Sequence, residues 1–338
     1  MTVSAQLSGL TPGTTYHFDL VATNGRGSVS SGGVPFTAAA AGATTTSAPT
    51  GSAKPKPTTS ASWRLGRQSV ANRPGWFDGL SAVSCASTSF CFATGFAEHG
   101  ATGDPLIERW TGRSWTIVFS PAASEASLLG VSCASPANCA AVGRDGLNTY
   151  SEHWNGSSWS VVSAPSPSQS ELSGVDCPSS ANCWAVGASG AFGNHASPLA
   201  EHWDGRGWSV ASTPRAPVEL QFISCRSLTM CWAAGNLGML RLVGGAWRTV
   251  AAPGAEFVGI SCASVHDCWV IGDGGSNQWN GRTWSQVASP RVPVLSPRFP
   301  PALFGVACPT TSECVAVGVI NEQAIGPQRA IAEVTRPA

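Results

Sequence analysis

Along most of this chain apolar residues come in short runs interleaved with polar ones, and no stretch keeps the three-to-four spacing of an amphipathic helix. Four such runs recur as a set. The copy at residues 129 to 165 reads Leu-Gly-Val-Ser-Cys, five residues, Cys-Ala-Ala-Val-Gly, a variable loop, then Glu-His-Trp-Asn-Gly-Ser-Ser-Trp-Ser-Val-Val and a closing proline. Residues 172 to 214 repeat the pattern. Runs rich in β-branched and aromatic residues, bounded by turn chemistry, predict four strands per copy. Strand 1 should end at the first cysteine and strand 2 begin at the second. Strands 3 and 4 are joined through Asn155-Gly156, Asp204-Gly205 or Asn280-Gly281, pairs that accept the positive φ of tight hairpins.

Successive first cysteines lie 48, 44, 48, 37 and 46 residues apart. A four-stranded meander repeating at about 40 to 45 residues predicts a propeller blade. Six copies therefore predict an all-β, six-bladed β-propeller over residues 62–338. The last copy stops after Ala330-Ile331-Ala332-Glu333-Val334, which matches strand 3 of the others. Upstream of the first copy, Ser62-Trp63-Arg64-Leu65 matches the strand 4 pattern of Ser114-Trp115-Thr116-Ile117. The expectation is that the ring closes by strand exchange, with this segment completing the last blade.

The twelve cysteines all fall in Cys-x5-Cys pairs: Cys85 and Cys91, Cys133 and Cys139, Cys177 and Cys183, Cys225 and Cys231, Cys262 and Cys268, Cys308 and Cys314. Three readings stand side by side: one disulfide per blade, zinc sites, or reduced buried thiols. Zinc would need two further ligands at each pair, and histidines do not accompany every pair. An even count at fixed spacing with no orphan favours oxidation, and each short loop would then contribute about 2 kcal/mol on the chain-entropy model. No metal and no cofactor is expected.

Residues 1–38 follow another pattern. Leu7-Ser8-Gly9-Leu10-Thr11-Pro12-Gly13-Thr14-Thr15-Tyr16-His17-Phe18, with Val21-Ala22-Thr23-Asn24-Gly25 and Val34-Pro35-Phe36-Thr37, resembles the last three strands of a fibronectin type III domain. The resemblance implies a partial β-sandwich, with Tyr16 at the tyrosine-corner position. Because it covers less than half of such a domain, it also implies a chain that continues upstream and would carry its secretion signal there. Residues 39–61, built of Ala, Thr, Ser, Gly and Pro with two lysines, read as a linker.

Charge narrows the function. Only 11% of residues are charged, with nineteen basic balancing nineteen acidic side chains. The basic footprint of nucleic-acid binding is absent, and no apolar run is long enough for a transmembrane helix. Disulfides and this composition place the protein outside the cell or on its surface, as a monomer.

Catalytic motifs are missing: there is no Gly-x-Ser-x-Gly, no His-Glu-x-x-His and no phosphate loop. Propeller sialidases rely on a tyrosine nucleophile with an arginine triad, and the predicted propeller holds one tyrosine, Tyr150. Fourteen tryptophans recur by register, which favours packing. The Trp-Asn-Gly-x-x-Trp hairpin also resembles a segment of propeller lectins, which implies sugar stacking as the alternative.

Because strands alternate direction, the strand 1–2 and 3–4 turns share one face and the 2–3 and 4–1 loops the other. The first face is nearly invariant, whereas the second varies from short loops to long ones such as 187 to 198 and 318 to 328. Insertions in repeat proteins gather on the binding face. Asp145, Asn148, Tyr150, Asn194 and His195 are the polar candidates there. The whole of residues 62–338 resembles actinobacterial repeat proteins in which Val-Ser-Cys-x5-Cys and Trp-Asn-Gly-x-x-Trp alternate, a resemblance that implies no activity. The reading is a non-catalytic binding or adhesion protein for a glycan or an extracellular protein. A polysaccharide-acting hydrolase or lyase and a structural spacer are the alternatives.

Overall fold

The computed structural model describes residues 4–7, 15–24, 27–37, 77–99, 102–121, 126–167, 169–190, 196–272, 275–287, 302–311, 313–321 and 328–335. They form a propeller-like, all-β array of repeated antiparallel sheets. Strands β1 (Ser4–Leu7), β2 (Thr15–Asn24) and β3 (Gly27–Thr37) precede the repeats, and β4 (Phe77–Ser87) opens the first of them. Numbering the sheets in chain order, sheets 2 to 5 are four-stranded meanders beginning at Ala126–Ser135, Glu171–Ser179, Glu219–Ser227 and Phe257–Ser264. Sheet 6, opening with Ala302–Thr310, has three strands among the described residues. The segment Ser62–Leu65, expected to supply its fourth, lies outside the described residues, as does the 39–61 linker.

The N-terminal piece departs from a continuous sandwich. β2 and β3 form an antiparallel pair with Tyr16 opposite Phe36, whereas β1 leaves them and runs parallel to β4, Ser4 facing Ala82 and Leu7 facing Cys85. β1 also packs against the first strand of sheet 6.

All twelve cysteines are joined within their own pairs: Cys85 to Cys91, Cys133 to Cys139, Cys177 to Cys183, Cys225 to Cys231, Cys262 to Cys268 and Cys308 to Cys314. Their Cα–Cα separations are 3.8 to 4.1 Å. The zinc and thiol readings fall with that.

The strand limits set by the cysteines need correcting. Cys91, Cys139, Cys183, Cys231, Cys268 and Cys314 do not open strand 2, which starts one residue earlier, at Phe90, Asn138, Asn182, Met230, Asp267 and Glu313. Nor does strand 1 end at Cys85 or its counterparts. It runs two residues further, so that Ser87 pairs with Phe90, Ser135 with Asn138 and Thr310 with Glu313, with a register shift just before. Pairing beyond the disulfide leaves a tight turn in place of a five-residue loop. A serine hydroxyl caps it: Ser87, Ser135, Ser227 and Ser264 each accept from the N–H two residues on.

Opposite this turn, the first tryptophan of the strand 3–4 hairpin locks the two hairpins of a sheet together. Its indole N–H donates to a carbonyl in the cysteine turn, from Trp110 to Thr88, Trp154 to Pro136 and Trp203 to Ser180 at 3.0 to 3.3 Å. The hairpin itself is a four-residue loop between paired tryptophans. Its first side chain, Asn155, Asp204 or Asn280, accepts from two backbone N–H groups, and the following glycine takes φ of 93 to 100°. Of the hairpin tryptophans, Trp110, Trp115 and Trp284 are half-buried, and Trp154, Trp159, Trp203, Trp208, Trp247 and Trp279 are buried. They fill the space between neighbouring sheets: Phe92 of sheet 1, for instance, meets Trp154 and Trp159 of sheet 2 edge-on at 5.0 and 4.9 Å.

Consecutive sheets are also tied at their first strands, which pack on one another along the chain. The residue before the first cysteine accepts a hydrogen bond from the backbone N–H of the next sheet's first cysteine. Ser84 takes Cys133, Ser132 takes Cys177, Asp176 takes Cys225, Ser224 takes Cys262 and Ser261 takes Cys308, at 2.5 to 3.0 Å, and all are buried. The serine of the Val-Ser-Cys motif is thus an inter-sheet latch.

Candidate functional site at the convergence of the first strands

Every first strand carries a β-bulge at the residue directly after its leading leucine or phenylalanine, as between Leu80 and Ala82, Leu128 and Gly130, or Leu172 and Gly174. The bulge pushes a carbonyl towards strand 2. That explains the invariant glycine of Ala-Val-Gly: a Cβ on Gly95, Gly143, Gly187, Gly235 or Gly272 would sit 1.8 to 2.0 Å from the oxygen of Gly79, Ser127, Glu171, Glu219 or Glu256. Only glycine admits so close a backbone.

The bulged strands enclose a cavity of about 290 Å³ to which all six sheets contribute. One branched residue per sheet forms an apolar girdle, comprising Val83, Val131, Val175, Ile223, Ile260 and Val306. The bulge residues Ser81, Leu129, Ser173 and Gln221, with Glu171, line the end nearer the start of each strand. That is the side on which the 4–1 connections arrive, the side of the variable loops. Glu171 is oriented there by Ser173, whose hydroxyl donates to it at 3.2 Å, and by Arg144 at 3.9 Å. The site can therefore take an elongated group with an apolar tip and polar flanks.

The expected loop residues divide. Asp145 and Asn148 face each other across the hairpin turn Gly146-Leu147, on which Leu147 is 54% exposed. The loop leading to sheet 3 is strapped to this hairpin, Ser166 Oγ donating to Asn148 Oδ1 at 3.2 Å and Ser170 N–H to the Leu147 carbonyl at 2.9 Å. Tyr150 does not share that surface. It is 8% exposed, packs between sheets 1 and 2, and donates its hydroxyl to Glu152 Oε1 at 2.9 Å. Burial, then the Glu152 charge, pushes its pKa far up. The cause is strand alternation: Tyr150, Glu152 and Trp154 share one side of their strand. Asn194 and His195 lie outside the described residues.

Glu152-His153 and Glu201-His202 repeat in strand 3 and read from the sequence as structural; with Glu108 these glutamates form a row of buried carboxylates, each two residues before the third-strand tryptophan. Glu152 is held by Tyr150 and by Ser120, whose hydroxyl donates at 2.6 Å. Burial raises its pKa and those two hydrogen bonds oppose the rise. One sheet on, the matching positions are Leu199 and Ala164. Glu201 accordingly has no hydrogen-bond partner for either oxygen, is fully buried, and has its pKa pushed up to about 8 by burial alone. Burial thus favours its protonated, neutral form. The adjoining histidines are lowered by burial and engaged, His153 accepting from Asn138 at 3.0 Å and lying on Trp203, and His202 against Trp184. These titratable groups belong to the gaps between sheets, not to the cavity.

No known protein family and no curated protein matches the sequence. Among solved structures the chain is similar to YCF48 bound to a D1 peptide, at 14% identity and a TM-score of 0.51 over 79% of this chain and 86% of that one. It is similar as well to an ancestral GH74 enzyme, at 12% identity and a TM-score of 0.53 over 79% of this chain but 37% of that one. The WD40 repeats of RRP9 align at 11% identity and a TM-score of 0.49 over 78% and 98%. At such identities the likeness is one of fold, and the first two agree with a propeller-like array.

Proposed function

We propose that this protein is a non-catalytic binding module that takes an extended peptide segment of an extracellular partner into the loop-side mouth of its central cavity. The observation that carries this reading is the cavity itself, lined by the first strands of all six sheets, apolar within and polar at one end. Ligand sites are typically mostly apolar hollows with a few placed polar groups. A protein segment is favoured over a glycan because most of the recurrent tryptophans are buried between sheets and none of them lines the cavity. YCF48, whose fold is similar, is bound to a D1 peptide and gives a precedent for this mode.

The convergence of six sheets on one cavity supports a six-bladed ring over residues 62–338; for residues 1–38 the end of a fibronectin type III domain rests on the sequence resemblance alone. Six disulfides suit an oxidising, extracellular setting. Asp145 and Asn148 on the loop face then contribute to the rim, and the protein works as a monomer. The test is to pan a displayed peptide library and, in parallel, a glycan array with the oxidised protein. Enrichment of a related set of peptides is expected. Reproducible glycan hits without any enriched peptide would overturn the reading.

A further inference from the structure

Five joints between consecutive sheets carry the serine or aspartate latch, each receiving the N–H of the next first cysteine. In sheet 6 the corresponding residue is Ala307, which has no side-chain acceptor. The first cysteine that none of these five latches serves is Cys85, in β4. Beside it runs β1, in parallel register from Ser4 opposite Ala82 to Leu7 opposite Cys85, and β1 packs against the first strand of sheet 6 too.

We infer that the joint between sheets 6 and 1 is a strand-accepting seam, and that its occupant is the N-terminal segment Ser4–Leu7 of the same chain. Two observations meet there: the missing latch at Ala307, and a strand that pairs along Ala82–Cys85 while packing on the first strand of sheet 6. A strand added to an exposed edge is held by main-chain hydrogen bonds and needs little from its side chains. The occupant therefore replaces one side-chain latch with a short backbone ladder. It also couples whatever β1 is attached to, including the β2–β3 pair, directly to the ring. This inference goes beyond the binding role and stands without it.

The full-length oxidised chain tests it by amide hydrogen exchange. Gln6→Pro removes an N–H and restricts the backbone opposite Ser84, while Gln6→Ala changes the side chain alone. In Gln6→Pro, the β4 amides between Ala82 and Cys85 that face away from strand 2 should exchange at least tenfold faster, with sheets 3 and 4 unchanged. Gln6→Ala should behave as the parent. Exchange in Gln6→Pro equal to the parent would overturn the proposal. Protection that disappears on dilution would overturn it as well, by assigning the strand to a second copy.

Discussion

Glu201 and Glu152 occupy the same place in successive repeats and differ only in what surrounds them. Two substitutions, Leu199 for the tyrosine and Ala164 for the serine, strip Glu201 of its partners. Its carboxyl titrates near 4.5 when exposed and about 8 in the fold. The folded state binds the proton more tightly, so the stability this confers is complete below about pH 4.5. It is lost as pH rises from there through about 8. The full loss is on the order of 5 kcal/mol, at about 1.4 kcal/mol per pH unit. Glu201→Gln should abolish this dependence and leave the variant more stable than the parent at pH 8.5, measured by denaturant unfolding under oxidising conditions. An unaltered pH slope would show that Glu201 is ionised and served by a partner. Repetition marks this residue as structural, but not as an acid without partners. Glu-His-Trp reads identically in both repeats, and the groups that decide its chemistry lie in other strands.

At the scale of strands and turns, the latches are the testable feature. Removing the Ser132 hydroxyl leaves the buried Cys177 N–H without its acceptor, a loss of about 1–3 kcal/mol. Ser132→Ala should therefore lower the unfolding free energy by that amount, whereas Ser160→Ala, on an exposed strand position, should change it by less than about 0.5 kcal/mol. Equal effects would remove the latch from the account. The strands, the paired tryptophans and the place of each cysteine turn were legible because each repeats in register and rests on local chemistry, whereas the turn's tight form, set by pairing beyond the disulfide, was not. The bulges were not: they show only as a glycine in strand 2, whose reason is a carbonyl on another strand. Nor was the placing of Tyr150, since period-two alternation does not say which side of a strand meets the neighbouring sheet. The serine of Val-Ser-Cys was visible as a pattern, yet its partner lies some forty residues away.

For the whole molecule, the disulfides bear on stability and the cavity on the proposed binding role. Six short covalent loops at about 2 kcal/mol each rival the net stability of an ordinary domain, roughly 5–15 kcal/mol. The denatured, unreduced chain should react with no thiol reagent, and reduction should lower the unfolding midpoint steeply. Twelve reactive thiols before reduction would contradict the structure. The six-sheet architecture was readable from the cysteine ruler alone, but the cavity was not, because it exists only where six first strands converge. Its role is decided by filling it. Leu129 and Gln221 line it from sheets 2 and 4, so the pair Leu129→Trp and Gln221→Trp should block the mouth while leaving the inter-sheet cores intact. The decisive measurement is the Kd of a library-selected peptide for the parent and for this double variant, with matched thermal unfolding. The account predicts affinity weakened at least tenfold at unchanged stability; undiminished affinity in the filled variant would place the binding surface elsewhere.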